Sequence, residues 1–289
     1  MAKISAAMVK QLREMTDAPM MECKKALVEA DSDLEKAVDV LRTMGIAKAV
    51  KRAGRATNEG TIAAYVAESG KAGALLELSC ETDFVGTNPK FTAFARDLAR
   101  VVCESDPSDV EALKGCAMGK ATVADALTEM IHVIGENMKI VRFQRVSVEN
   151  GALSSYVHLG GKLADIVMFS FSNAATAERD EFKTFAHDVA MQVAASAPVA
   201  ARREDVPAQT IEREKTIYLA QATDSGRPEA IWETIANGKL EKFYKQIVLT
   251  EQVFIKDSSL TIFELAKRTS DACDDTIGIE GFVRFSFGE

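Results

Sequence analysis

The sequence has little of what covalent chemistry or cross-linking would require. Its 289 residues include three histidines, His132, His158 and His187, and five cysteines, Cys23, Cys80, Cys103, Cys116 and Cys273. The cysteines are odd in number and form no C-x-x-C pair, which excludes a disulfide framework or a zinc knuckle and suits a reducing compartment. No His-Glu-x-x-His, G-x-S-x-G, Walker loop or G-x-G-x-x-G occurs, so no motif for metal, acyl or nucleotide chemistry is recognisable. Long apolar runs are missing as well: none approaches the ~18 to 20 residues of a membrane span, and Met1 to Ser5 lead straight into an amphipathic pattern instead of a signal peptide. Glycine and proline are sparse, at 17 and 6, which excludes a fibrous or low-complexity chain. Basic charge is outweighed, 35 Lys and Arg against 43 Asp and Glu, and the formal charge of −8 argues against a surface that tracks phosphate backbones. The expectation is a cytoplasmic protein with no membrane or direct nucleic-acid partner, no metal and no cofactor.

What is present is ordinary for a folded chain, 47% hydrophobic and 27% charged residues, at a length that suits roughly two domains. Over residues 4 to 53 apolar side chains recur at helical spacing: Ile4, Met8, Leu12 and Met15, then Met21, Ala26, Leu27 and Ala30, then Leu34, Val38 and Leu41. Pro19 suits a first helical turn, and Ser32-Asp33-Leu34-Glu35 reads as a capping box with Ser32 serving the N3 amide. Three short helices sharing a small core are predicted. From Ile46 to Asn58 the apolar pattern thins while Lys48, Lys51, Arg52 and Arg55 appear. This stretch reads as a helix trailing into a basic connector that few contacts cross, and its charges suit either solvent or an arm that contacts an acidic partner or RNA.

Beyond the connector the sequence repeats itself. Tyr65 and Tyr156 lie 91 positions apart, and the same offset pairs Gly60 with Gly151, Phe91 with Phe182, and Phe94, Ala95, Asp97 and Ala99 with Phe185, Ala186, Asp188 and Ala190. Each copy reads as strand, turn, strand and helix, with Asn88-Pro89 opening the first helix and Asn150-Gly151 read as a hairpin signal between copies. Between Val199 and Val248 the pattern turns helical again, broken at Ser225-Gly226-Arg227-Pro228, which predicts a projecting helical hairpin. The alternating tail from Gly281 to Phe287 predicts a strand returning to the second copy. The expected fold class is α+β, with a three-helix N-terminal domain and connector over 1–55, a first core copy over 56–145, and a second over 146–289 that carries the inserted hairpin at about 199–248.

The copies differ where chemistry could reside. After its second strand the first copy reads Cys80-Glu81-Thr82-Asp83-Phe84-Val85-Gly86, whereas the second reads Phe171-Ser172-Asn173-Ala174-Ala175-Thr176-Ala177. A carboxylate and a large aromatic thus stand side by side in a turn where the duplicate has Ala175. From the residues alone Phe84 is either a core side chain or an exposed wedge for a partner. His158 ends a strand whose counterpart ends in Ala67 and fits either rim packing or a contact; His132 and His187, inside helical patterns, read as structural.

The C-x-T-D-F-V context of Thr82, Asp83, Phe84 and Val85 resembles the signature loop of translation elongation factor Ts, the guanine-nucleotide exchange factors for elongation factor Tu. The resemblance runs along the chain, through Val9 to Thr16, Met20 to Leu27, Ile134-Gly135-Glu136-Asn137, Tyr156-Val157-His158, Ala190 to Ala195, Lys242 to Lys245 and Phe282 to Phe285. It departs at Asp17-Ala18-Pro19, where the family usually has a glycine-rich turn. The resemblance implies a ubiquitin-associated-like N-terminal fold, no covalent chemistry and hence no enzyme activity of that kind, and an Asp83-Phe84 pair inserted into the GTPase near its magnesium site. It places Arg13, Met20, Met21 and Lys24 against that partner, with one of the two methionines expected in the core, and adds Ile134 and His158. It also admits a homodimer through the helical hairpin, since some members self-associate there and others act as monomers. The rival reading is an adaptor whose helical domain binds a peptide or ubiquitin-like partner over an inert scaffold.

Overall fold

A computed structural model of the protein describes residues 4–224 and 226–289. Three helices come first, α1 (Ala6–Thr16), α2 (Met20–Glu29) and α3 (Leu34–Arg52), and Leu12, Cys23, Leu27, Ala37 and Leu41 close a core among them. Ser5 accepts the Met8 amide to start α1, and Pro19 immediately precedes α2. The cap of α3 sits one residue later than expected. Asp33, not Ser32, accepts the amides of Glu35 and Lys36, while Ser32 takes a left-handed φ of 69°; a carboxylate at a helix start also gains from the helix dipole, which a hydroxyl does not. Asp17 ends α1 at a φ of 53°, the conformation a glycine would favour there, and Asp is among the side chains that tolerate it.

The chain continues through β1 (Glu59–Val66), β2 (Ala72–Cys80), a one-turn helix α4 (Asp83–Gly86) and the long α5 (Pro89–Ser105). Asn88 caps α5 with Pro89 at its first position, as the sequence predicts. Next come α6 (Val110–Gly115), β3 (Ala117–Met118), β4 (Ala121–Thr122), α7 (Val123–Ile134) and β5 (Met138–Ser147). They are followed by β6 (Gly151–His158), β7 (Leu163–Ser170) and α8 (Asp180–Ser196). The helices α9 (Ala208–Thr223) and α10 (Trp232–Ile247) pack on each other around the predicted break, of which Ser225 lies outside the described residues. The last elements are β8 (Val253–Phe254), β9 (Asp257–Thr261), α11 (Ile262–Cys273) and β10 (Gly278–Ser286). Among the described residues no helix is long and apolar enough to cross a membrane.

Helix and sheet are mixed, consistent with an α+β chain. The strands form three-stranded sheets in the orders β1-β2-β5 and β10-β7-β6, with β7 antiparallel to both neighbours. Each central strand is largely buried, so each takes a partner on either side. Asn150-Gly151 consequently turns no hairpin, because β5 and β6 belong to different sheets. The predicted tail strand is β10. Each sheet's third strand is preceded by a two-stranded hairpin and a helix with a capping box, Thr122 with Asp125 in one case and Thr261 with Glu264 in the other. These threonines lie 139 positions apart, not 91, and the added 48 match the insertion that carries α9 and α10.

Two compact units result. One holds the described residues up to Ala63, Leu76–Phe143 and Gly288; the other holds Ala64–Leu75, Gln144–Phe287 and Glu289. In the second, Phe169 meets Phe182 and Phe185 edge-on, each pair at 5.5 Å, under α8. In the first, α3 packs along α7, and Gly45 marks the close approach, because a Cβ there would stand 2.9 Å from His132 Nδ1. The connector expected from 46 to 58 is therefore helical through Arg52 and tied down by its charges. Arg52 donates to the Ile131 carbonyl at 3.0 Å, Lys48 pairs with Glu22, and Arg55 pairs with Glu81 at 3.3 Å. Apolar periodicity cannot register ties that are polar.

Candidate functional site

The loop after β2 is where the site is built. Thr82 caps α4 by accepting the Val85 amide, and Thr87 closes the turn by donating to the Asp83 and Phe84 carbonyls. Val85 is buried, and Gly86 lies against the Gly60 backbone, where an added Cβ would be 3.2 Å from the Gly60 carbonyl oxygen. With Val85 turned inward, Phe84 is turned out and is 83% exposed. Asp83 Oδ1 accepts the Phe84 amide at 2.9 Å, so the carboxylate shapes the turn one residue on. Of the four loop residues expected to touch a partner, Asp83 and Phe84 are presented, Thr82 is half-buried, and Val85 serves as the anchor beneath them.

The loop is held from below by a pair of carboxylates. Glu136 Oε2 accepts the amides of Glu81 and Thr82 at 3.1 and 3.0 Å, and Glu136 Oε1 accepts the Thr82 hydroxyl at 2.7 Å. Glu81 returns the favour by accepting the Asn137 amide at 2.6 Å and pairing with Arg55. Asn137 in turn donates its side-chain amide to the Arg55 carbonyl at 2.8 Å.

On α2, Met20, Met21 and Lys24 are all exposed, the methionines at 53% and 64%. Neither methionine is core, against expectation; Cys23 occupies the inward position that the sequence pattern assigns to Met21. Their spacing puts them with Val28, also exposed, on one helical face. Arg13 is exposed near the end of α1, and Ile134 is half-buried at the end of α7. This helical group shares a unit with Phe84, and two further contacts join it to α5 and α7. Lys90, at the start of α5, reaches Asp17 at 3.1 Å, and the fully buried His132 meets Glu22 of α2 at 2.7 Å. Burial alone would raise Glu22, but hydrogen bonds from Lys48 and His132 outweigh it and hold its carboxyl below the usual range.

His158 belongs to the other unit, exposed at the end of β6. Its Nδ1 lies 3.0 Å from the Tyr156 hydroxyl, and Tyr156 also meets His187 edge-on, so His187 is a surface side chain, not a core one. A cleft of about 120 Å³ opens beside them, lined by Met191, Ala194 and Ile255. In the same sheet Asp165 is wholly buried between its register partners Tyr156 and Arg284, and neither carboxylate oxygen has a protein hydrogen-bond partner. Burial, only partly offset by Arg284, pushes its carboxyl up to about 8. The first copy has Ala74 at that place.

Sequence reasoning missed Glu136 and its counterpart. Asp275 Oδ2 accepts the Asn173 amide and the Thr176 hydroxyl, and Oδ1 accepts the Ser172 amide. These bonds hold the Asp275 carboxyl down to about 2. Ser172 and Asn173 stand 91 positions after Glu81 and Thr82, and Asp275 stands 139 after Glu136, so a search at the second offset would have found the pair. Among the described residues no cluster of His, Cys, Asp and Glu is placed to hold a metal ion.

The sequence profile of the family described as "Elongation factor TS" matches residues 81–289. The chain is 42% identical over 287 residues to elongation factor Ts of Clostridium botulinum (strain Alaska E43 / Type E3), covering 99% of this chain and 93% of that one. It is 43% identical over 289 residues to elongation factor Ts of Trichlorobacter lovleyi, with the same coverage of both.

Proposed function

We propose a mechanism from one premise: the chain belongs to the elongation factor Ts family, whose members act as nucleotide exchange factors for elongation factor Tu. Asp83 and Phe84 are the wedge, and the observation that carries this reading is a phenylalanine 83% exposed on a loop whose neighbour Val85 is buried. A GDP-bound GTPase holds its nucleotide through Mg²⁺ and through amides cradling the phosphates. An aromatic side chain driven between its helices shifts that cradle without touching the nucleotide, and no covalent bond is made or broken. Linkage makes the effect mutual, so GDP weakens the factor's hold by the ratio in which the factor weakens GDP.

The exposed face of Met20, Met21 and Lys24, with Arg13 and Ile134, supplies grip on the partner, because unbranched thioethers adapt to an irregular surface. His158 makes a separate contact from the other unit. In the proposed architecture a ubiquitin-associated-like helical domain precedes a duplicated core whose second copy carries the α9–α10 hairpin, and the protein works in the cytoplasm. Ala222 and Ala236 are buried in the hairpin while most of its remaining surface is polar, which suits a weak homodimer over a permanent one. The test is release of a fluorescent GDP analogue from elongation factor Tu as the factor is titrated in. Acceleration at substoichiometric amounts is expected. Binding without acceleration would restore the adaptor reading.

A further inference from the structure

We infer that Glu136 is a positioning residue for exchange: its carboxylate, by gathering the Glu81 amide, the Thr82 amide and the Thr82 hydroxyl, sets the angle at which Phe84 is presented. The inference rests on the wedge reading above. Thr82 is the hinge of the loop, since it caps α4 while its own backbone and side chain are held by Glu136. The Phe84 side chain is exposed on the single turn of α4 and is aimed by the backbone that carries it. A wedge transmits force only if its base is stiff, and three bonds converging on one carboxylate from a single dipeptide give that stiffness. The carboxylate is itself fixed, because the next residue, Asn137, donates its amide to Glu81 and its side chain to the Arg55 carbonyl.

The second copy separates holding a loop from presenting a wedge. Asp275 holds Ser172, Asn173 and Thr176 through the same kinds of bond, yet the position matching Phe84 is Ala175. Both carboxylates serve folding. Only Glu136 has an aromatic to aim.

The experiment uses the full chain and elongation factor Tu loaded with fluorescent GDP, and separates the maximal release rate from the half-saturating concentration. E136A should lower the maximal rate on the order of tenfold while changing half-saturation less than twofold, because the grip from the helical face is intact. E136Q should recover most of the rate, since its amide oxygen can accept both backbone amides and its nitrogen can donate to Thr82. D275A, melting alongside E136A, should leave the maximal rate near that of the natural chain. The double variant E136A/F84A should be no slower than F84A alone, because Glu136 acts through Phe84. If E136A does not fold, T82V, which leaves both backbone amides paired, carries the comparison, and an unchanged rate for it overturns the inference. Equal rate losses in E136A and D275A, or additive losses in the double variant, would likewise reduce Glu136 to a structural role. Failure of the natural chain to accelerate release is a different result, and it removes the wedge reading along with this one.

Discussion

Phe84 separates stability from function because so little of it is buried. Were it core, truncation would cost about 3 to 5 kcal/mol; at 83% exposure the expected cost of Phe84→Ala is within about 0.5 kcal/mol. Release of GDP should nevertheless slow sharply, and a thermal melt run beside the release assay checks both halves. Asp83 accepts the Phe84 amide, a bond that an asparagine oxygen can make and an alanine cannot. Asp83→Asn should therefore keep most of the activity and Asp83→Ala lose more, measured across a range of Mg²⁺; equal, large losses would show that the charge itself acts on the metal or phosphates. Asp165 gives the opposite kind of residue, one whose burial matters more than its reach. Its folded carboxyl keeps a proton up to about 8, whereas the unfolded one releases it near 3.8. The folded state thus binds more protons between those values, and this group's contribution is fully present below 3.8 and lost as pH rises towards 8. Asp165→Asn should flatten a dependence whose steepest slope is ~1.4 kcal/mol per pH unit, visible in urea midpoints from pH 5 to 9.

The packing of α2, α3 and α7 turns on a polar pair, a buried His132 and a half-buried Glu22, that no periodicity announces. His132 reads correctly as structural because α7 is amphipathic, but its partner, Glu22, lies 110 positions away on another helix. Glu22 titrates in the opposite sense to Asp165. Because Glu22 is held below its ordinary value of 4.5, its contribution is present above that value and is lost as pH falls through the lower folded one. His132→Ala should cost about 1 to 3 kcal/mol by leaving Glu22 Oε2 without its partner while Lys48 keeps the other oxygen, and should blunt the acid limb of the stability profile. Circular dichroism from pH 3 to 7 on both proteins measures this. The exposed methionines of α2 show a complementary failure of pattern. A methionine at helical spacing is apolar in the sequence whichever way it faces, and only the positions of α1 and α3 decide that Cys23 goes in and Met21 comes out.

Across the whole chain, the packing of α3 on α7 changes what a truncation should do. A basic connector would let residues 1 to 55 be removed cleanly. With Leu127, Ile131 and His132 buried along α7, and with Arg52 and Glu22 tied across to Ile131 and His132, deletion should instead lower the melting temperature clearly and expose apolar surface to a dye such as ANS. An unchanged melt would show that the duplicated core is self-sufficient. The elements themselves were legible at the outset: three amphipathic helices, strands and helix repeated at an offset of 91, a cap and proline at Asn88-Pro89, and a returning tail strand. Legible too was the Thr82–Val85 loop as the place where the two copies differ, because a short motif in a turn is a local property of sequence. Periodicity reports burial along one element at a time, so those features needed only neighbours in the chain. That Phe84 faces outward, that Glu136 and Asp275 hold equivalent loops, and that Glu22 finds His132 were decided by tertiary structure alone. Each depends on what a distant element covers or donates, and the inserted α9–α10 hairpin moved the matching carboxylate out of the register in which the repeat is visible.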